Sequence, residues 1–299
     1  MMLLSEFDSE VEKSNNQTAQ KLSVFMSALQ DANDDAGDDD DACYFESSLF
    51  LNEDYETVAF DVGDVTQRVL CLTSASTDHD LTGQVVWPVS VLLAWFVAAN
   101  RRRFAGARVL EVGAGCGLPG LVADAVGAER VALTDGSDVV VRLLERAVGA
   151  VRPRSASVAR LLWGDRPSFE AVAAGASFDY VVGADVVCWP KLVAPLLQTV
   201  AALLAASTCD EAAFFVGFVA RANSTKDLFF REASARGFSV EEHDPASFLP
   251  DPAPANVHSA LELRLIELRL APTARRRAAD IDFQSDDPAY AASYGDNAC

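Results

Sequence analysis

The chain has 299 residues, half of them hydrophobic, and a formal net charge of −20. That length allows one large α/β domain with tails or two small domains, and the apolar share is enough to fill a core. The acidic balance repels nucleic-acid phosphates and anionic membranes and attracts a basic partner, so neither a nucleic acid nor a membrane is expected as a ligand.

Six cysteines (43, 71, 116, 188, 209 and 299) form no C-x-x-C pair and have no histidine nearby at metal spacing. That argues against a metal site and against a disulfide framework. Met1-Met2-Leu3-Leu4 runs straight into acids, without the basic region and apolar core of a secretion signal. The longest apolar run, Val85 to Ala99, contains Pro88 and Ser90 and falls short of a membrane span. The expected setting is a reducing, aqueous compartment: the cytoplasm, with the nucleus also open to it.

Residues 1–45 carry two lysines against eleven acids and read as a disordered arm. Within it Leu22, Phe25, Met26 and Leu29 sit at the spacing of one short amphipathic helix. Residues 46–270 read as the folded domain. Thr57–Val62 and Gln67–Leu72 alternate like strands, and a turn at Gly63-Asp64 joins them as a hairpin. A polar loop over 74–83 follows, then a helix from Val89 to Asn100 opened by Pro88. Arg101-Arg102-Arg103 suits that helix's C-terminus, where basic residues meet the negative end of the dipole.

Beyond this point strands alternate with helices, the pattern of a parallel sheet covered on both faces. Strands are expected near 108–112, 130–134, 157–162, 179–184, 212–219, 237–242 and 258–269. Helices are expected at 119–126, 138–149, 190–205 and 224–236. The short loop Pro245–Asn256 implies an antiparallel pair at the end of the sheet. In the last strand Leu261, Leu263 and Leu265 share a face, with Glu262, Arg264 and Glu267 among the polar neighbours. Residues 271–299 read as a polar, Ala-rich, disordered tail.

In such a sheet ligands bind beyond the carboxyl ends of the strands, so the residues just after each strand are the ones to inspect. The first strand runs into Glu111-Val112-Gly113-Ala114-Gly115-Cys116-Gly117-Leu118-Pro119-Gly120, a glycine-rich turn entering a helix. Dinucleotide, phosphate and S-adenosylmethionine (SAM) sites all use such turns. SAM carries an ammonium and no phosphate, so the carboxylate of Glu111 fits it better; the alternative is a tight turn with a stray acid. Asp135 ends the second strand, roughly 20 residues on, where a carboxylate meets ribose hydroxyls. Capping the next helix is its other role, although Ser137 serves equally well there. Trp163, after the third strand, offers an adenine ring an apolar face or packs in the core. Neighbouring backbone, or Asp165, could read the ring's amino group. After the fourth strand Ala184 leaves room for a cofactor. Asp185 holds and aligns a cationic amine by a charge-assisted hydrogen bond, or caps a helix. Cys188, with no histidine or basic residue just before it, reads as a packing residue.

With these segments together the chain resembles the class I (seven-strand) SAM-dependent methyltransferases. Within them it is similar to the protein-lysine methyltransferase branch called methyltransferase family 16. The matching segments are Val86-Trp87-Pro88, the loop from Val109 to Leu121, Leu133-Thr134-Asp135, Leu162-Trp163-Gly164 and Phe178 to Val187. Pro195-Leu196-Leu197 and Phe218-Val219-Ala220-Arg221 extend the likeness over roughly residues 50–270. The resemblance implies a Rossmann-like α/β fold whose seven-strand sheet is mostly parallel with an antiparallel C-terminal strand. Helices cover both faces, and the hairpin is an N-terminal extension. It also implies a SAM pocket lined by Trp87, Gly113, Ala114, Gly115, Asp135, Trp163 and Ala184, with Glu111 behind the methionine end. Asp185 begins the branch's Asp-x-x-Tyr signature, linked to the target lysine, but Cys188 stands where that signature has tyrosine.

The expected activity is therefore methyl transfer from SAM to a lysine amine of a protein substrate. Two alternatives are a small amine or non-lysine protein nitrogen as acceptor, and a non-catalytic binding partner that keeps the fold.

Overall fold

In the computed structural model, residues 55–72, 83–219, 221–258 and 262–278 are described. The acidic arm with its Leu22–Leu29 helix, the loop residues 74–82, Leu261 and residues 279–299 lie outside them.

The hairpin forms as expected: β1 (Tyr55–Val62) and β2 (Val65–Leu72) pair antiparallel with Val62 opposite Val65. Alternation along β2 buries Val65, Gln67, Val69 and Cys71. That face packs on the domain instead of extending its sheet, so the hairpin is a two-stranded unit of its own.

Helix α1 (Pro88–Ala99) is apolar nearly all round and runs through the core. Asn100 stops it, its side chain donating to the Phe96 carbonyl at 2.9 Å. The three arginines do not sit in the last turn of α1; they open a separate turn, α2 (Arg101–Phe104). Arg101 reaches Asp64 of the hairpin at 2.5 Å. Arg103 is drawn inward to Glu267 at 2.8 Å and lies over the Phe215 ring. A carboxylate buried in the core, with hydrogen-bonding capacity left for a bidentate arginine, is a stronger attractor than a helix dipole, which explains the departure from the expected role.

The main sheet contains β3 (Arg108–Glu111), β4 (Arg130–Asp135), β5 (Ala156–Arg160), β6 (Tyr180–Ala184), β7 (Ala213–Val219), β8 (Phe238–His243) and β9 (Leu263–Leu270). Their spatial order is β5-β4-β3-β6-β7-β9-β8. The first five in that order are parallel, and β9 runs antiparallel to both β7 and β8. One face is covered by α1, α3 (Leu118–Ala125), α4 (Asp138–Val151) and the hairpin. The other is covered by α5 (Arg166–Ala173), α6 (Pro190–Ala205) and α7 (Asn223–Ala235). The chain travels outward from β3 to β5 and then returns to β6, so the direction of winding reverses between β3 and β6. This reversal leaves the crevice at which doubly wound sheets bind their ligands.

Four details depart from the sequence reading. The last strand begins at Leu263, later than 258. Glu267 is not a surface neighbour: it is 1% exposed and is held by Arg103, Arg269 and His243. Helix α5 is not among the expected helices; Val172 is buried in the core cluster against which Phe169 and Ala176 also pack, and the helix start is set by Asp165, which accepts from Ser168 N–H at 2.8 Å. Residues Pro272–Ala278, within the stretch read as a tail, form α8. There Arg275 donates to the Cys209 carbonyl at 2.9 Å and Ala278 is buried, so a locally polar sequence finds partners on the domain.

Candidate active site

Strand β3 delivers Glu111 at its carboxyl end, and the next nine residues fold back into α3. Gly113, Gly115 and Gly117 all take positive φ (56°, 53° and 75°), which lets the backbone reverse twice in so short a span. At Gly113 a side chain is excluded for a second reason. An added Cβ would lie 2.8 Å from Val186 Cγ1 and 3.2 Å from Trp163 Cζ2. The turn is thus bounded by the loops that follow β5 and β6. On its other side the Gly83 carbonyl lies 3.0 Å from the position a Gly115 Cβ would take. Trp87, half-buried four residues later, starts α1: its carbonyl accepts from Ser90 N–H at 2.9 Å.

Glu111 is fully buried, and its Oε2 accepts from the Gly120 N–H at 2.9 Å. Gly120 belongs to the first turn of α3, where free amides and the helix dipole collect anions. In a phosphate site those amides face the ligand; here the protein's own carboxylate satisfies one of them from below. Burial pushes the Glu111 carboxyl up to about 8, the Gly120 amide opposes this, and Asp135 adds to it.

Asp135 ends β4 and is 7% exposed. It accepts from Gly115 N–H at 3.1 Å through one oxygen and from Ser137 N–H at 3.0 Å through the other. Burial raises it to about 6 against the pull of the Ser137, Gly115 and Gly136 amides. The helix-capping position itself falls to Ser137, which leaves Asp135 on the glycine turn. Thr134 ties the strands together, donating from its hydroxyl to the Glu111 carbonyl at 2.6 Å. Ala114 N–H donates to the Thr134 carbonyl at 2.9 Å.

Trp163 is 5% exposed in the core cluster below the sheet, and its ring edge borders Gly113. Trp163 packs in the core, as one of the two expected roles has it, with its ring edge against the glycine turn. Its position is fixed from behind by Thr199 of α6, which accepts from Gly164 N–H at 2.8 Å. Asp165 points into its own helix as a cap.

Ala184 ends β6, half-buried, opposite Gly217 of β7. Asp185 follows with φ 59°, a left-handed conformation that costs a non-glycine residue about 1 kcal/mol or more. Its N–H donates to the Gly217 carbonyl at 3.0 Å. Its carboxylate is gripped on both oxygens by Arg221, with Nη2 to Oδ2 at 2.5 Å and Nη1 on Oδ1. Cys188 donates to the Asp185 carbonyl at 2.8 Å, and its sulfur lies 3.6 Å from Arg221 Nη1. Arg221 was not among the expected site residues. The rule of inspecting each strand's last residues, applied to β7 as well, finds it.

The residues at the crevice fit SAM. Two buried carboxyls raised above their usual range favour a cationic ligand, whose charge offsets their ionisation. From Glu111 to Gly120 there is no lysine or arginine for a phosphate. Burial also pushes up the thiols of Cys71, to about 11, and Cys116, farther still, so neither is a nucleophile. Among the described residues no cluster suited to a metal ion occurs, and no helix is long and apolar enough to cross a membrane.

Comparison with known proteins gives a family match over residues 68–235, described as "Lysine methyltransferase". The calmodulin-lysine N-methyltransferase of Arabidopsis thaliana is 34% identical over 142 residues, 46% of each chain. The protein N-lysine methyltransferase METTL21A of Danio rerio is 30% identical over 161 residues, 53% of this chain and 69% of that one. The histone-arginine methyltransferase METTL23 of Xenopus laevis is 34% identical over 126 residues, covering 41% of this chain and 52% of the relative. The chain thus spans about half the length of the Arabidopsis and Xenopus proteins.

Proposed function

Because the chain belongs to the lysine methyltransferase family, we propose that it transfers a methyl group from SAM to the side-chain amine of a protein lysine. The observation that carries the cofactor is the Glu111–Gly120 hydrogen bond. It satisfies an amide that a phosphate would otherwise claim and sets a carboxyl beneath the turn, which suits a cation better than an anion. Glu111, Gly113, Ala114, Gly115, Asp135, Trp163, Ala184 and Trp87 would hold the cofactor, and Asp185 faces the acceptor. When bound, SAM supplies an electrophilic methyl group that an amine lone pair attacks directly, so the protein needs no covalent nucleophile. The chain's contribution is to align the acceptor nitrogen, exclude water and leave the amine uncharged. Support for a protein substrate comes from the relatives, each named for a protein target. The acidic surface suits a basic one. With no paired cysteines in its sequence pattern, the protein acts in the reducing setting of the cytoplasm or nucleus.

The test is tritium transfer from labelled SAM into a proteome lacking this protein, followed by residue-level mass spectrometry of the labelled band. Label on a lysine supports the proposal. Label on an arginine or on a small amine, or no label with protein that binds S-adenosylhomocysteine, overturns the acceptor assignment.

A further inference from the structure

Asp185 and Arg221 follow two adjacent central strands, β6 and β7, at the rim where this type of sheet meets its ligand. Asp185 follows the strand that makes the reversal with β3, and the next residue, Val186, borders the glycine turn. Its carboxylate is 10% exposed and Arg221 is 25% exposed, so the pair is shielded but reaches the crevice. The guanidinium meets both oxygens in the fork geometry that makes the strongest pairing of this kind. The left-handed backbone of Asp185, its N–H on the Gly217 carbonyl and its carbonyl on the Cys188 thiol all hold the carboxylate toward Arg221.

A bare carboxylate at this rim would work against the reaction. A lysine amine has a pKa of about 10.4 and arrives as an ammonium; an adjacent negative charge raises that value further and holds the proton on. Paired with Arg221, Asp185 carries no net charge into the crevice. Each of its oxygens keeps a second lone pair that can accept an N–H from a neutral amine and orient it.

We propose that Arg221 is a positioning residue that neutralises Asp185, so that the acceptor side of the crevice selects an amine in its uncharged form. The inference rests on the methyl-transfer reading above and adds to it the charge state in which the acceptor is received.

The probe is n-butylamine, a lysine side chain without its backbone, present as the ammonium at pH about 7.5. It is titrated calorimetrically into the full chain, with and without S-adenosylhomocysteine, against n-butanol as an uncharged control. Wild type is expected to bind butylammonium no more tightly than butanol. Arg221→Met should bind it about tenfold more tightly than wild type, because the carboxylate is then bare. Arg221→Lys should stay like wild type, and Arg221→Met combined with Asp185→Asn should lose the gain. Equal butylammonium affinity in wild type and Arg221→Met overturns the inference, and so does a gain that survives Asp185→Asn. Thermal unfolding checks each variant, and Arg221→Gln replaces the methionine variant if that fails to fold. A wild type indifferent to S-adenosylhomocysteine counts against the methyl-transfer reading, whereas the titration without it still decides the role of Arg221.

Discussion

Gly120 donates its N–H to the Glu111 carboxylate at 2.9 Å from a position so close that it has no room for a side chain. A Cβ there would lie 2.5 Å from Glu111 Oε2 and would collide with Leu133 Cδ2. The acid beneath the turn and the glycine above it are therefore one unit, and that unit sets the height of the glycine turn over β3.

Gly120→Ala is expected to cost about 1–3 kcal/mol by overpacking and to weaken S-adenosylhomocysteine binding as the loop lifts. Gly149→Ala, in α4 with open space at its Cβ, is expected to stabilise by about 0.5–1 kcal/mol. Chemical denaturation of the two variants beside wild type checks both signs.

The Glu111 carboxyl lies near 8 in the fold and 4.5 ordinarily, so the folded protein keeps this proton longer than the unfolded chain does. Its contribution is fully present below about pH 4.5 and is lost as pH rises toward about 8. Without ligand, the thermal midpoint of wild type should fall relative to that of Glu111→Gln across this window. Parallel curves for the two proteins would remove the buried acid from the account.

A cationic ligand reverses the preference, since it stabilises the ionised forms of Glu111 and Asp135, raised to about 8 and about 6. SAM affinity should therefore rise between pH 6 and 8 and then level. Calorimetry near neutral pH in two buffers of different ionisation enthalpy should show protons released on binding, and fewer from Glu111→Gln.

Away from the crevice, Glu267 is 1% exposed between Arg103, Arg269 and His243. Burial raises its pKa, but hydrogen bonds from Arg103 and His243 outweigh that and set it below the usual range. Arg103→Met strips two hydrogen bonds from this buried carboxylate and leaves it to Arg269 and His243, so the variant should be destabilised by about 1–3 kcal/mol. Urea denaturation measures that loss, and folded Arg103→Met should bind S-adenosylhomocysteine as wild type does.

Much of this arrangement is legible in the sequence because it rests on local signals. Alternation marks the hairpin, the glycines mark the turn, and the positions of Asp135 and Asp185 follow from strand ends. What escapes is long-range pairing. Glu267 and Arg103 are 164 residues apart, so neither the burial of the acid nor the pull on the arginine shows in a local window. Arg221 is within reach of the strand-end rule, but its pairing with Asp185, 36 residues earlier, does not show in a local window. Helix α5 is only two turns long and α8 is a polar, arginine-rich stretch, so their local signals are weak; a cap starts the one and domain carbonyls hold the other.

The most direct measurement is calorimetric titration of S-adenosylhomocysteine into wild type, Glu111→Gln, Asp135→Asn and Arg103→Met. Saturable one-to-one binding is predicted for wild type and Arg103→Met, at least about tenfold weaker in Glu111→Gln and Asp135→Asn. Heat of dilution alone in wild type, or four equal affinities, would contradict the pocket assigned to the ends of β3 and β4.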